Sequence, residues 1–176
     1  MQIAPGTNFL GMPVSGYITE DSTRVEQKPL EELAPLFQAL LDDPTIVEFG
    51  WTQYTPYFND GDTCEFSVHG LWVKTTAEAE GAVDEYGDEY EVWDLEVDYH
   101  PSLGKVEGHW EGEWPYRVFV KDSYEGPDED RYNRCHDLDR ALQSGEFETE
   151  LLNNFGDHAQ ITVRKNGIEV DSYSHD

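Results

Sequence analysis

Hydrophobic positions along this 176-residue chain switch between helical and alternating spacing, and each switch marks an element. Leu30, Leu33, Phe37, Leu40 and Leu41 recur at helical spacing after Pro29, a residue suited to a first helical turn. Pro35 either kinks this helix or opens its second half, and Pro44 ends it. From Ile46 the period becomes two. Val47, Phe49 and Trp51 alternate, as do Cys64, Phe66 and Val68, with Trp72 further along. Between these runs Thr55 to Asp62 carries the Pro, Asn, Asp and Gly of a turn, so a β-hairpin with a long connection is predicted.

An acidic loop over 76–90 follows, then a third predicted strand with Trp93, Leu95, Val97 and Tyr99 on one face and Asp94, Glu96 and Asp98 on the other. Further strands are expected at 105–111 and 116–121. A helix over 130–143 carries Leu138, Ala141 and Leu142, and a short one from Phe147 to Phe155 is closed by Gly156. Asn166-Gly167 between Ile161–Val163 and Ile168–Val170 is a strong hairpin signal. The pattern predicts an α+β fold, a mostly antiparallel β-sheet with two or three helices packed on one face. Residues 1–27 read as an irregular N-terminal arm, and 28–176 as a single α+β domain.

Composition alters this picture in one respect. Asp and Glu number 38 against 11 Lys and Arg, a formal charge of −27. Such a surface repels nucleic acid and anionic membranes, and favours cations or basic proteins. Aromatic residues, at 13%, still supply a core. Neither a signal peptide nor a membrane span is legible, and Cys64 and Cys135 read as two thiols of a reducing compartment, so a cytoplasmic location is expected.

No motif for nucleophilic, phosphate-binding or zinc chemistry is present, and no two of the six histidines stand four apart. Carboxylate pairs are too abundant to single out an acid–base dyad. The chain therefore reads as a non-enzyme, with no cofactor and no dedicated metal site. Asn59-Asp60-Gly61-Asp62 and Asp84 to Asp88 depart from the EF-hand pattern; they read first as turns, compatible with weak cation binding.

The acid is concentrated. Ten carboxylates and no Lys or Arg lie between Glu78 and Asp98. On a strand, Asp94, Glu96 and Asp98 would be roughly 6.5–7 Å apart, a phosphate-like step. Glu78, Glu80, Asp84, Glu85, Asp88, Glu89, Asp94, Glu96 and Asp98, with Tyr57 and Phe58, are accordingly the candidate partner-binding residues, and the acidic segment 107–130 is expected to share the surface. Tyr86, Tyr90, Tyr99, Trp114 and Tyr124 are candidate aromatic anchors near them. The competing expectation is an interaction or structural module that uses an aromatic hairpin (Trp51, Tyr54, Tyr57, Phe58), the acidity serving solubility or salt adaptation.

The segment from Phe49 through Trp51, Tyr54, Tyr57, Phe58 and Cys64 to Val68, and that from Asp157 to Tyr173, resemble parts of small uncharacterised acidic bacteriophage proteins. The resemblance implies a phage-type origin, and by analogy with phage DNA mimics an inhibitor of a host defence protein. Such an inhibitor would act in the host cytoplasm on a basic nucleic-acid-binding surface, without contacting nucleic acid or membrane. No residue role carries over from it.

Overall fold

The computed structural model describes residues 8–13, 25–57, 61 and 64–174. The fold is α+β, as the periodicities predict. Strand β1 (Asn8–Phe9) and β2 (Met12–Pro13) form a minimal hairpin within the N-terminal arm. Helix α1 (Leu30–Leu41) begins after Pro29 and contains Pro35. Its C-terminal carbonyls are met by a cation: Lys165 Nζ donates to the carbonyls of Leu40, Leu41 and Asp43, where the helix dipole is negative.

Strand β3 (Ile46–Tyr54) is the central strand of a five-stranded antiparallel sheet. One edge of β3 pairs with β4 (Ser67–Val68) and then β5 (Trp72–Thr75), and the other with β8 (Ala159–Arg164), which pairs with β9 (Gly167–Ser172). The hairpin expected between 46–51 and 64–72 exists, but its second strand is short: Cys64 and Phe66 precede it, and Trp72 resumes the pairing on the same edge. The Asn166-Gly167 turn joins β8 to β9 as predicted.

Phe49, Trp51 and Gln53 point from β3 to one face and are buried, as are Ile161 and Val163 from β8. The helices close that face. Phe37 of α1 meets Phe49 and Trp51 edge-on, and Phe155 of α4 (Glu148–Phe155) meets Trp51 from the other side. Helix α3 (Glu129–Gln143) adds Cys135, Leu138 and Leu142. Its N-cap is Asp128, whose carboxylate accepts from the Arg131 N–H. On the opposite face the Trp72 indole lies over Gly50: a Cβ there would stand 2.7 Å from the Trp72 ring and 2.1 Å from the Ile161 carbonyl oxygen. Gly50 is thus required by close approach.

The short α2 (Thr76–Ala79) follows β5. The next segment corrects the sequence reading. Residues 92–99 are two 3-10 turns, Val92–Leu95 and Val97–Tyr99, joined at an extended Glu96. Alternation alone suggested a strand. Acidic side chains instead bond locally, the Asp94 carboxylate accepting the Glu91 N–H at 2.9 Å. Leu95 and Val97 are buried, whereas Trp93 and Tyr99 stay exposed, so the four do not share a face. Strands β6 (Lys105–Glu111) and β7 (Val118–Glu125) pair only with each other, forming a separate ribbon. Among the described residues no helix is long and apolar enough to cross a membrane.

Candidate functional site

Two surface features stand apart from the core, an acidic loop and the ribbon. The loop leaves α2 through a framework that uses one of the candidate acids. Glu78 is buried, its side chain 3% exposed, and accepts from the Thr75 N–H, the Thr75 hydroxyl and the Ser102 hydroxyl at 2.9, 2.9 and 2.6 Å. The His100 ring, which takes the Ser102 N–H on Nδ1 and lies 2.6 Å from the Val73 carbonyl oxygen through Nε2, stands 3.4 Å from the same carboxylate. Burial by itself would raise the Glu78 pKa, but the hydrogen bonds from His100, Ser102 and Thr75 outweigh it and hold it at about 2. Glu78 is therefore a brace between α2 and the 100–102 turn, unavailable to a partner.

Other candidates divide by burial. Asp84 builds the loop, its Oδ1 accepting the N–H groups of Tyr86 and Asp88 at 2.8 and 2.9 Å. Asp94 caps the first 3-10 turn. Glu96 is half-buried, bridged through its backbone to Trp72 and pressed against Gly70. Burial pushes its carboxyl pKa up, and the negative charges of Asp139 and Asp98 add to that. Glu80, Glu85, Asp88, Glu89 and Asp98 are exposed. These five, with exposed Glu91, are the part of the acidic block that can meet a partner. The phosphate-like ladder of Asp94, Glu96 and Asp98 is not formed, because three consecutive strand steps are missing.

Behind this segment α3 presents Asp139, whose Oδ1 accepts from the Leu71 N–H at 2.9 Å and from Gln143 at 2.7 Å. Burial raises its pKa against both hydrogen bonds, with the Asp98 charge acting in the same direction as burial. His136, whose ring lies tilted against Tyr132 at 4.1 Å, has its pKa pushed down by burial.

The aromatic hairpin dissolves as a unit. Trp51 is core, and Tyr54 stacks on His69 and meets Tyr173 at a tilt. Tyr57 is exposed and lies flat on the His158 ring at 4.9 Å. Phe58 lies outside the described residues, as do Asn59, Asp60 and Asp62 of the first loop considered for cations. Among the described residues no group of three His, Cys, Asp or Glu side chains is placed to hold a metal ion. Cys64 and Cys135 are free thiols; burial pushes Cys135 up to about 12, so it stays protonated at neutral pH.

The ribbon carries Trp114 and Tyr124, two of the candidate anchors, and most of the expected 107–130 acidic segment, but its separation from the core was not legible in the sequence. No residue from Lys105 to Glu125 is buried, and none joins the core cluster. It is nonetheless rich in aromatics: Trp114 and Tyr116 at its tip are 84% and 86% exposed, and Trp110 is 57% exposed. Phe119 meets Trp110 edge-on with ring centroids 5.4 Å apart. The Arg117 guanidinium sits 5.5 Å over the Trp110 ring. On the other face His109 bridges Asp122 at 2.8 Å and Glu111 at 3.0 Å, and these carboxylates raise its pKa. At the base the Tyr124 hydroxyl donates to the Leu103 carbonyl oxygen at 2.7 Å. The available signal was the density of Trp and Tyr in a stretch whose only aliphatic residues are Val106, Val118 and Val120.

No protein-family model, curated protein or solved structure matches this chain.

Proposed function

We propose that this chain is a non-catalytic binder that covers a basic nucleic-acid-binding surface of another protein, in the manner of a phage-type inhibitor of a host defence protein. One observation carries the reading: between Lys74 and Lys105 there is no Lys or Arg, and Glu80, Glu85, Asp88, Glu89, Glu91 and Asp98 of that stretch are exposed. A surface that grips phosphates through Lys and Arg is the complementary one. Without the ladder, the reading rests on density of negative charge and no longer on phosphate-like spacing.

The partner is to be captured from host lysate, purified, and its affinity measured with and without competing duplex DNA. Duplex should displace the chain, and affinity should fall steeply between 0.05 and 0.5 M salt as screening shortens from over ~10 Å to a few ångströms. Neutralising Glu80, Glu85, Asp88, Glu89 and Asp98 together to Gln or Asn should weaken binding by at least about tenfold, at roughly 0.3 kcal/mol per exposed pair. A partner bound equally well by the neutralised chain, or indifferent to duplex, would overturn the reading.

A further inference from the structure

The ribbon costs the fold something: it keeps Trp110, Trp114 and Tyr116 in water, where their burial would be favourable. It returns no core contact. Such a patch fits an interaction surface, and three kinds of occupant can be weighed by charge. A second copy would bring a net charge of −27 against −27. An anionic lipid surface or a nucleic acid meets the same repulsion. A cationic segment meets attraction, and the ribbon already contains the contact it would make: Arg117 lies over the Trp110 ring in the same chain. Within three residues of Trp114 along the chain come Glu111, half engaged by His109, and exposed Glu113. Aromatic faces next to carboxylates suit a guanidinium, which stacks as a plane and pairs through its edge, better than a strongly hydrated ammonium.

We infer that the ribbon tip is a docking site for an arginine-bearing basic segment of the partner, whose guanidinium groups stack on Trp114 and Tyr116 and pair with Glu113 and Glu111. The inference rests on the basic-partner reading above and adds to it a second contact surface with a choice of arginine over lysine. The acidic loop supplies attraction without discrimination; the ribbon supplies discrimination.

The test uses the whole chain and two peptides of equal length and charge, one arginine-rich and one lysine-rich, titrated at moderate salt by calorimetry. Chemical shifts of the Trp indole N–H groups locate the contact. The arginine peptide should bind about two- to fivefold more tightly per stacked ring, with the shifts confined to Trp110 and Trp114. The double variant W114A/Y116A, checked for fold by circular dichroism, should lose that preference. The five-site neutralised variant should weaken both peptides and keep their ratio. Equal affinity of the wild type for both peptides, a preference that survives in W114A/Y116A, or a homodimer abolished by that variant would each overturn the ribbon inference. Binding of neither peptide at low salt would instead overturn the basic-partner reading itself.

Discussion

The Trp51 indole N–H donates to the Gln53 side-chain oxygen at 3.0 Å, two residues along the same buried face of β3. Gln53 then donates through its amide nitrogen to the Leu151 carbonyl at 3.0 Å and the Gly156 carbonyl at 2.8 Å. One buried amide thus satisfies the largest core side chain and the end of α4, locking helix to sheet. Gln53→Leu keeps the volume, leaves the Trp51 N–H and the Gly156 carbonyl without this partner and strips the helical Leu151 carbonyl of its second donor, at about 1 kcal/mol or more each. It should lower unfolding free energy by about 3 kcal/mol, read from urea denaturation. A change below about 1 kcal/mol would show that water replaces the amide.

Glu78 yields a prediction with a defined pH direction. Its pKa falls from 4.5 to about 2 on folding. Its stabilisation is therefore fully present above the unfolded value and is lost as pH falls through about 2. Glu78→Gln removes an acceptor from the Thr75 and Ser102 donors and should cost about 2 kcal/mol at pH 7. The gap between wild type and variant should narrow between pH 5 and 2.5. A gap of constant size across that range would show that Glu78 contributes by shape alone.

Asp139 runs the other way. Its pKa is raised above 3.8 by burial, so the stability linked to its protonated form is present below that value and lost as pH rises through the folded pKa. Glu96 is raised likewise, in part by the charge of Asp139. Asp139→Asn keeps an acceptor for the Leu71 N–H and removes the repulsion. It should leave stability at pH 7 unchanged or slightly higher and flatten the loss between pH 4 and 7. Asp139→Ala, which orphans that N–H, should cost about 1–3 kcal/mol. Parallel pH profiles of the wild type and Asp139→Asn would refute the account.

Most of the framework could be read from the chain because its signals are local. Helical spacing from Leu30, the Asn166-Gly167 turn and the Gly156 stop each act within a few residues, and each element appears where they place it. The segment 92–99 failed because alternation is a tertiary signal: it specifies a strand only where a neighbouring strand is free to pair. Here Trp72 offers a single bridge to Glu96, and Asp94 satisfies backbone locally. Five of the nine candidate acids are exposed and the other four are drawn into the structure, since a carboxylate such as Glu78 looks the same in sequence whether it meets water or the Ser102 hydroxyl. The aromatic residues could not be sorted for the same reason. Trp51 and Trp114 are alike as letters, and only packing against Phe37 and Phe155 separates core from display.

The ribbon should be separable from the fold. Gly104 and Gly126 close its base so tightly that a Cβ on Gly126 would stand 2.7 Å from the Gly104 Cα. Deleting 105–125 and joining the two glycines removes the Tyr124 hydrogen bond to Leu103, the Tyr124–Tyr132 ring contact and the Lys121–Glu129 pair, and no core side chain. Those losses amount to about 2 kcal/mol, or less than about 8 °C in the unfolding midpoint. The shortened chain should keep a cooperative transition, retain weak salt-sensitive binding of cationic peptides through the acidic loop, and lose the preference for arginine. An unfolded product would show that the ribbon is part of the structural unit. Retention of the arginine preference would place the discriminating surface elsewhere.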